Sequence, residues 1–212
     1  MATQIKTIAI EPYFGNVTKK LLIIFCKNPE LGKVKTRIAA TMGDEKALAI
    51  YYKLINYTQQ ITETLPLDKV VYYSNHIDRE DSWKNARFHK ALQKGNDLGE
   101  RMRNAFEDSF NSGFRSVCII GTDCMEVTSE IIEDAFKVLS TKDAVLGPAK
   151  DGGYYLLGMN KFQETLFQNK NWSTDSVAEN TLQDFKSLQL SYDLLPMLSD
   201  IDEEKDVSDW FS

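Results

Sequence analysis

Apolar residues fall along this chain in two alternating rhythms, short unbroken runs and stripes of helical period. Leu21 to Phe25, Val70 to Tyr73 within a run from Lys69 to Ser74, Val117 to Ile120 and Ala144 to Leu146 are the unbroken runs. Such runs predict strands buried on both faces of a parallel sheet. Between them, Ala47, Leu48, Tyr51, Leu54, Ile55, Ile61 and Leu65 mark one face of a long helix that begins at Asp44 and stops at Pro66. Leu98, Met102, Ala105, Phe106 and Phe110 mark a second helix, closed by Gly113. Ile131, Ile132, Ala135, Phe136 and Leu139 mark a third, and Val177, Leu182 and Phe185 a fourth, opened by Trp172, Ser173 and Thr174. Leu188 to Leu195 predicts a last, weaker strand, ended by Pro196. The polar stretch from Asn75 to Lys90 predicts no element, with Trp83 and Phe88 expected to pack there. Ile5 to Ile10 could form an edge strand in an N-terminal extension over residues 1–20, ahead of a main domain over 21–212. The alternation predicts a single-domain α/β fold with a mostly parallel sheet. Asp151 and Gly152, between two apolar runs, predict an antiparallel hairpin within it.

Composition narrows the function classes. The 212 residues are 42% hydrophobic and 26% charged, ordinary for a globular domain. The formal net charge of −6 disfavours a general nucleic-acid partner. No apolar run is long enough to cross a bilayer, and the N-terminus lacks a secretory apolar core. Cys26, Cys118 and Cys124 are odd in number and have no C-x-x-C spacing, which reads as buried free thiols in a reducing compartment.

Two stretches then stand out for their chemistry. Asp123 follows the buried run from Val117 to Ile120 after the strand-breaking Gly121. Ligands of open α/β sheets bind outside the carboxyl ends of the strands, and a carboxylate there can hold a hard divalent cation. Thr128 is the better cap for the next helix, which leaves Asp123 free of that task. After the first strand comes a loop with Lys27, Lys33, Lys35 and Arg37 inside eleven residues of an acidic protein. It matches neither a Walker A loop nor G-x-G-x-x-G. Its place at a strand end still suits polyphosphate, with Arg37 gripping oxygens through a fork and Lys35 acting as a point charge. Gln93, Gly95 and Asp97 begin the second helix. They could face a base or ribose, and a capped helix start explains Asp97 equally well. Gly152, Gly153 and Tyr154 form the hairpin beside Asp151, and two glycines also admit close approach of a ligand. Asp200 and Asp202 point the same way in an extended segment. They could complete a metal site with Asp123, but on composition alone an acidic tail explains them better, since Glu203, Glu204, Asp206 and Asp209 follow.

Taken together, Phe25 to Arg37, Gln93 to Met102, Gly121 to Cys124, Gly147 to Tyr155 and Asp200 to Asp202 resemble the DUF2064 family of bacterial glycosyltransferase-A-like (GT-A) proteins in the nucleotide-diphospho-sugar transferase superfamily. The resemblance runs from Leu21 to Trp210. More distantly the chain is similar to guanylyltransferases of the phospholactate and molybdopterin type. Met125 departs from the family's proline after the Gly-Thr-Asp-Cys stretch. The resemblance implies a GT-A sandwich with a nucleotide over the carboxyl ends of the strands, in a bacterial cytoplasm. It raises Asp200 and Asp202 above the acidic-tail reading, because related nucleotidyltransferases carry metal-binding aspartates in a similar late pair.

The resulting expectation is a transferase dependent on Mg²⁺ or Mn²⁺ that uses a nucleotide sugar or a nucleoside triphosphate and an acceptor. Asp123, Asp200 and Asp202 would hold the metal. Lys27, Lys35 and Arg37 would bind phosphate, with Gln93, Gly95 and Asp97 on the nucleotide. Asp151, Gly152, Gly153 and Tyr154 would shape the acceptor pocket, with Asp123, Lys35, Arg37 and Asp151 carrying catalysis. Glycosyl and nucleotidyl transfer use the same cations and stay unseparated, as does a nucleotide-binding protein without turnover. A dehydrogenase is disfavoured by the missing glycine fingerprint. A homo-oligomer is compatible with the sequence.

Overall fold

The computed structural model describes residues 19–208 and Trp210. The strand expected at Ile5 to Ile10, and with it nearly all of the 1–20 extension, lies outside the described residues. Seven strands form one sheet: β1 (Lys20–Cys26), β2 (Asp68–Tyr73), β3 (His89–Leu92), β4 (Ser116–Ile120), β5 (Ala144–Pro148), β6 (Tyr154–Met159) and β7 (Tyr192–Leu194). Their order is β3-β2-β1-β4-β6-β5-β7. Only β6 runs against its neighbours, β4 and β5; the remaining pairs are parallel. The helices are α1 (Thr36–Met42), α2 (Asp44–Glu63), α3 (Leu98–Asn111), α4 (Ser129–Val138), α5 (Val177–Ser187) and α6 (Glu204–Ser208), with a short 3-10 helix at Glu164–Phe167.

Successive strand residues point to opposite faces, so each apolar run serves two cores. Leu22, Ile24, Val71, Cys118, Ile120 and Val145 face one side, with Ile38 of α1, Tyr51 and Leu54 of α2 and Ile132 and Phe136 of α4. Leu21, Ile23, Val70, Val117, Ile119 and Leu146 face the other, with Met102 and Phe106 of α3, Phe167 of the 3-10 helix and Phe185 of α5. The central runs lack alternation because neither face is left to water. The capping assignments hold: the Thr128 side chain accepts from Ile131 N and starts α4, and Asp97 accepts from Glu100 N and starts α3. Trp83 and Phe88 pack edge to face, with ring centroids 4.9 Å apart.

Four local expectations change. β3 begins at the end of the stretch expected to form no element and runs two residues past it; it is a partly exposed edge strand carrying His89 and Lys90, so it has no apolar run. α1 buries only Ile38 among its seven residues, too little to show a stripe. α5 starts at Val177 rather than at Trp172, and Trp172 to Ser176 instead form turns ahead of it. The last strand shrinks to Tyr192–Leu194.

Parallel pairing of β1 with β2 and β4 sets their carboxyl ends side by side, with Cys26 beside Tyr73 and Ile24 beside Ile120. The antiparallel β5–β6 turn brings Asp151 to the same end of the sheet.

All three cysteines are free and buried. Burial pushes the thiols of Cys26 and Cys124 up to about 12, and raises Cys118 as well. At pH 8 a thiol of that acidity is about one part in ten thousand thiolate, and the thiolate is the reactive form. The folded protein should resist iodoacetamide at pH 8 and take up three labels in denaturant. Rapid labelling of any of the three in the folded state, read by mass spectrometry, would refute this burial.

Candidate active site

The end of β1 is fixed before any charge is placed. The Tyr51 hydroxyl, buried on α2, accepts from Lys27 N at 2.8 Å and lies 3.0 Å from Lys27 O, to which it can donate. It also lies 3.3 Å from Thr122 Oγ1 at the end of β4. Asn28 is buried, and its Oδ1 accepts from Asn75 N at 2.9 Å while its Nδ2 donates to His76 O at 2.9 Å. The strand ends and the first turn of the basic loop are thereby one rigid body. The loop then turns between Glu30 and Lys33, whose N donates to Glu30 O at 3.0 Å.

Lys35 closes the loop in a left-handed backbone conformation, φ 47 and ψ 48. That region costs an ordinary residue energy and is held only where surrounding contacts enforce it. The contacts here are ionic. Lys35 Nζ lies 2.8 Å from Asp123 Oδ1 and 2.9 Å from Asp202 Oδ1, and only 6% of its side chain is exposed. Burial works against the ammonium, but Asp123 and Asp202 outweigh it and hold the Lys35 pKa above its ordinary value. Burial alone would raise the Asp202 carboxyl; Lys35 and then Arg37 reverse this and hold it below its ordinary value. Arg37 stands outside the pair, 72% exposed and 3.7 Å from Asp202 Oδ2.

Backbone bonds bring the late aspartates to this point. Ile201 N donates to Asp123 O at 2.9 Å, and Leu198 pairs with Ala149 in a short parallel bridge. Asp206 Oδ2 accepts from Asp202 N and Glu203 N, at 3.1 and 2.8 Å. Asp200 receives no lysine of its own. Burial, then Asp123 and Asp151, push its carboxyl up to about 7.

A cleft of about 800 Å³ opens over these ends. Lys27, Lys35, Arg37, Gln93, Asp123, Asp151, Gly153, Tyr154, Asp200 and Asp202 line it. Gly95, Asp97 and Gly152 do not. Asp97 is occupied as the α3 cap, and Gly95 lies against that helix start, where a Cβ would meet Glu100 Cβ at 2.7 Å. Gln93 reaches the cleft, but its Nε2 already donates to Tyr72 O at 2.9 Å. Gly152 has φ 88, and a Cβ there would meet Asp175 O at 2.0 Å, so the chain's own backbone fills the space read as open to a ligand. Gly153 has no left-handed φ; its N donates to Asp151 Oδ1 at 2.9 Å. Sequence reasoning missed Trp172, Ser173, Thr174 and Asp175, which also line the cleft. Ser173 and Thr174 resemble a helix cap, and the left-handed Ser173 (φ 64) leaves no sequence signal.

Among the described residues, no group of three or more His, Cys, Asp and Glu side chains is arranged to hold a metal ion by itself. Two hard-oxygen donors, Asp123 Oδ1 and Asp202 Oδ1, nonetheless converge on one point that a cation already occupies, the Lys35 ammonium. The donor chemistry fits Mg²⁺ or Mn²⁺, whose remaining positions commonly go to phosphate and water.

Sheet order, the antiparallel β6 and the cleft over the carboxyl ends define a nucleotide-diphospho-sugar transferase fold. The chain belongs to the DUF2064 family, described as "Uncharacterized protein conserved in bacteria", whose family model matches residues 57–174. A crystal structure from Desulfovibrio desulfuricans G20, provisionally named a nucleotide-diphospho-sugar transferase, is 32% identical with a TM-score of 0.80, over 87% of this chain and 83% of that one. The inositol-1-phosphate CTP transferase of T. maritima shares the fold at 13% identity and a TM-score of 0.54, over 88% of this chain and 90% of that one. A cytidylyltransferase from Leptospira borgpetersenii does so at 12% identity and 0.54, over 92% and 88%. No curated protein matches the sequence. Among the described residues, no helix is long and apolar enough to cross a membrane.

Two stability predictions follow from the crowding. Gly152→Ala should cost roughly 2–4 kcal/mol, because both φ and the Asp175 carbonyl oppose it, whereas Gly153→Ala should cost less than about 1 kcal/mol. Equal urea midpoints for the two variants would show that the turn does not need its left-handed glycine. For Asp200, a folded pKa near 7 against 3.8 unfolded means the folded state binds the extra proton. Wild-type stability therefore falls as pH rises from about 4 to about 7. Asp200→Asn should remove that fall, gaining about 1–3 kcal/mol at pH 8 and nothing at pH 4, in EDTA. A pH-independent difference would rule out this origin.

Proposed function

We propose that this chain is a metal-dependent transferase that moves a glycosyl group from a nucleotide sugar to an acceptor in the bacterial cytoplasm. The reading rests above all on the Lys35 ammonium seated between Asp123 and Asp202 beside a basic loop. That arrangement joins a cation seat to phosphate donors at the carboxyl ends of a parallel sheet, where this architecture takes its ligands. The 32% identical Desulfovibrio protein, by its provisional name, supports the same class.

Asp123 and Asp202 would hold Mg²⁺ or Mn²⁺, with Asp200 close by. When bound, the ion would neutralise charge on the diphosphate oxygens and so favour departure of that group. Lys35 gives up its place between the carboxylates and offers its ammonium to a phosphate oxygen instead. Lys27 and the exposed Arg37 add charge from the same side, Arg37 with a fork suited to two oxygens. In the transfer, the acceptor oxygen bonds to the anomeric carbon as the bond from that carbon to the diphosphate breaks. The electron pair leaves with the nucleoside diphosphate, and the acceptor proton passes to Asp151, which Gly153 N orients. Nucleotidyl transfer would release pyrophosphate instead, so the product separates the two.

Calorimetry with nucleoside diphosphates, with Mn²⁺ or with EDTA, tests the site. Wild type should bind with Mn²⁺ and weakly without it. Asp123→Asn should lose the metal dependence. Arg37→Ala should retain it with affinity reduced about tenfold or more, as for a charge-assisted bond worth roughly 1.5–3 kcal/mol. Lys35→Met should bind Mn²⁺ alone more tightly than wild type, because the ion no longer displaces an ammonium. Metal-independent nucleotide affinity, equal in wild type and Asp123→Asn, would overturn the assignment.

A further inference from the structure

The cleft has two chemically different walls. The cations Lys27, Lys35 and Arg37 come from the β1 end and α1. The opposite wall is built by the connection between the 3-10 helix and α5, which carries Trp172 and Asp175 beside Asp151. That connection is seated firmly. The Trp172 indole fills the space of a missing side chain at Gly99, where a Cβ would lie 2.1 Å from Nε1. The Asp175 backbone does the same at Gly152, and Ala178 N donates to Gly152 O at 2.9 Å. The buried Lys170 ties the segment to Asp184 on α5. Ser173 is left-handed without being glycine.

What the segment presents is uncommitted. Among the described residues, neither the Asp175 carboxylate nor the Trp172 N–H has a hydrogen-bond or ion-pair partner. The nearest cation on the α3 side, Arg101, spends its Nε on Gly95 O at 3.1 Å and turns Nη1 toward Gln93. An aromatic side chain and the Asp175 carboxylate, with Asp151 in the same cleft, suit a ring that carries hydroxyls: its C–H face lies on the indole and its O–H groups donate to the carboxylates. An anionic group here would face Asp151, Asp175 and Asp200, while Arg101, held on Gly95 O and turned toward Gln93, is the cation of this side, and like charges so juxtaposed disfavour such a ligand.

We propose that Trp172, Asp175 and Asp151 form the acceptor subsite of the cleft, and that it takes an uncharged or amino-bearing polyhydroxylated ring while rejecting a phosphorylated one. The proposal rests on the transferase reading above.

The test uses the full chain saturated with a nucleoside diphosphate and Mn²⁺. Methyl hexosides, hexosamines and the matching hexose 6-phosphates are titrated against tryptophan emission. A neutral or amino sugar should change the emission saturably, and Trp172→Phe should abolish the change, since Trp83 is buried and the exposed Trp210 does not line the cleft. Asp175→Asn should weaken binding at least tenfold, and each 6-phosphate should bind at least tenfold more weakly than its parent. Thermal shifts by the nucleotide, recorded on the same samples, show that the variants are folded. Tighter binding of the 6-phosphates, indifference to Asp175→Asn, or no saturable change with any sugar while the nucleotide still binds would overturn the acceptor subsite alone. Absence of the nucleotide shift in wild type would overturn the transferase reading and the subsite with it.

Discussion

One ammonium group organises the functional end of this fold. Lys35 Nζ holds Asp123, from the end of β4, and Asp202, from the segment after β7, within 2.9 Å of one point. Each carboxylate is close to half exposed, so an ion pair of this kind adds modest stability by itself. Its weight lies in position. It joins three segments remote in sequence, and it keeps two negative charges together in the absence of any ligand. The left-handed backbone of Lys35 follows from it, because only that turn aims the side chain back beneath the strand ends while α1 leads away.

The surrounding contacts answer the same constraint. Tyr51 and Asn28 fix the backbone that delivers the loop, and the bond from Ile201 N to Asp123 O fixes the late segment. Asp200 is the member left over. It lies near Asp123 and Asp151 without a lysine of its own, and burial and these neighbours disfavour its charged form.

The sheet was legible in the sequence where burial is complete. Central strands with both faces covered show as unbroken apolar runs, and helices lying on them show as stripes. β3 and α1 were hidden because one is an exposed edge and the other buries a single side chain. For the site, Asp123 could be read because Thr128 takes the capping role and Asp123 is left without one. The joining of Asp202 to Lys35 could not be read from spacing, since it depends on the bridge at Leu198 and the bond at Ile201. Asp97 was ambiguous in sequence, and here the α3 start claims it. The glycine pair was read as a place where a ligand could approach closely, but at Gly152 the approaching group is the backbone of Asp175. Trp172, Ser173 and Thr174 carried a helix-start signal that the left-handed Ser173 does not follow.

Lys35 and Asp202 stand 167 residues apart in the chain. During synthesis β1, β2 and β4 can pair long before residue 202 leaves the ribosome, as N-terminal portions generally fold first. The nascent sheet therefore exists for a time with Lys35 facing Asp123 alone. The cation seat is the last part of the molecule to be assembled, and an incomplete chain would lack half of it.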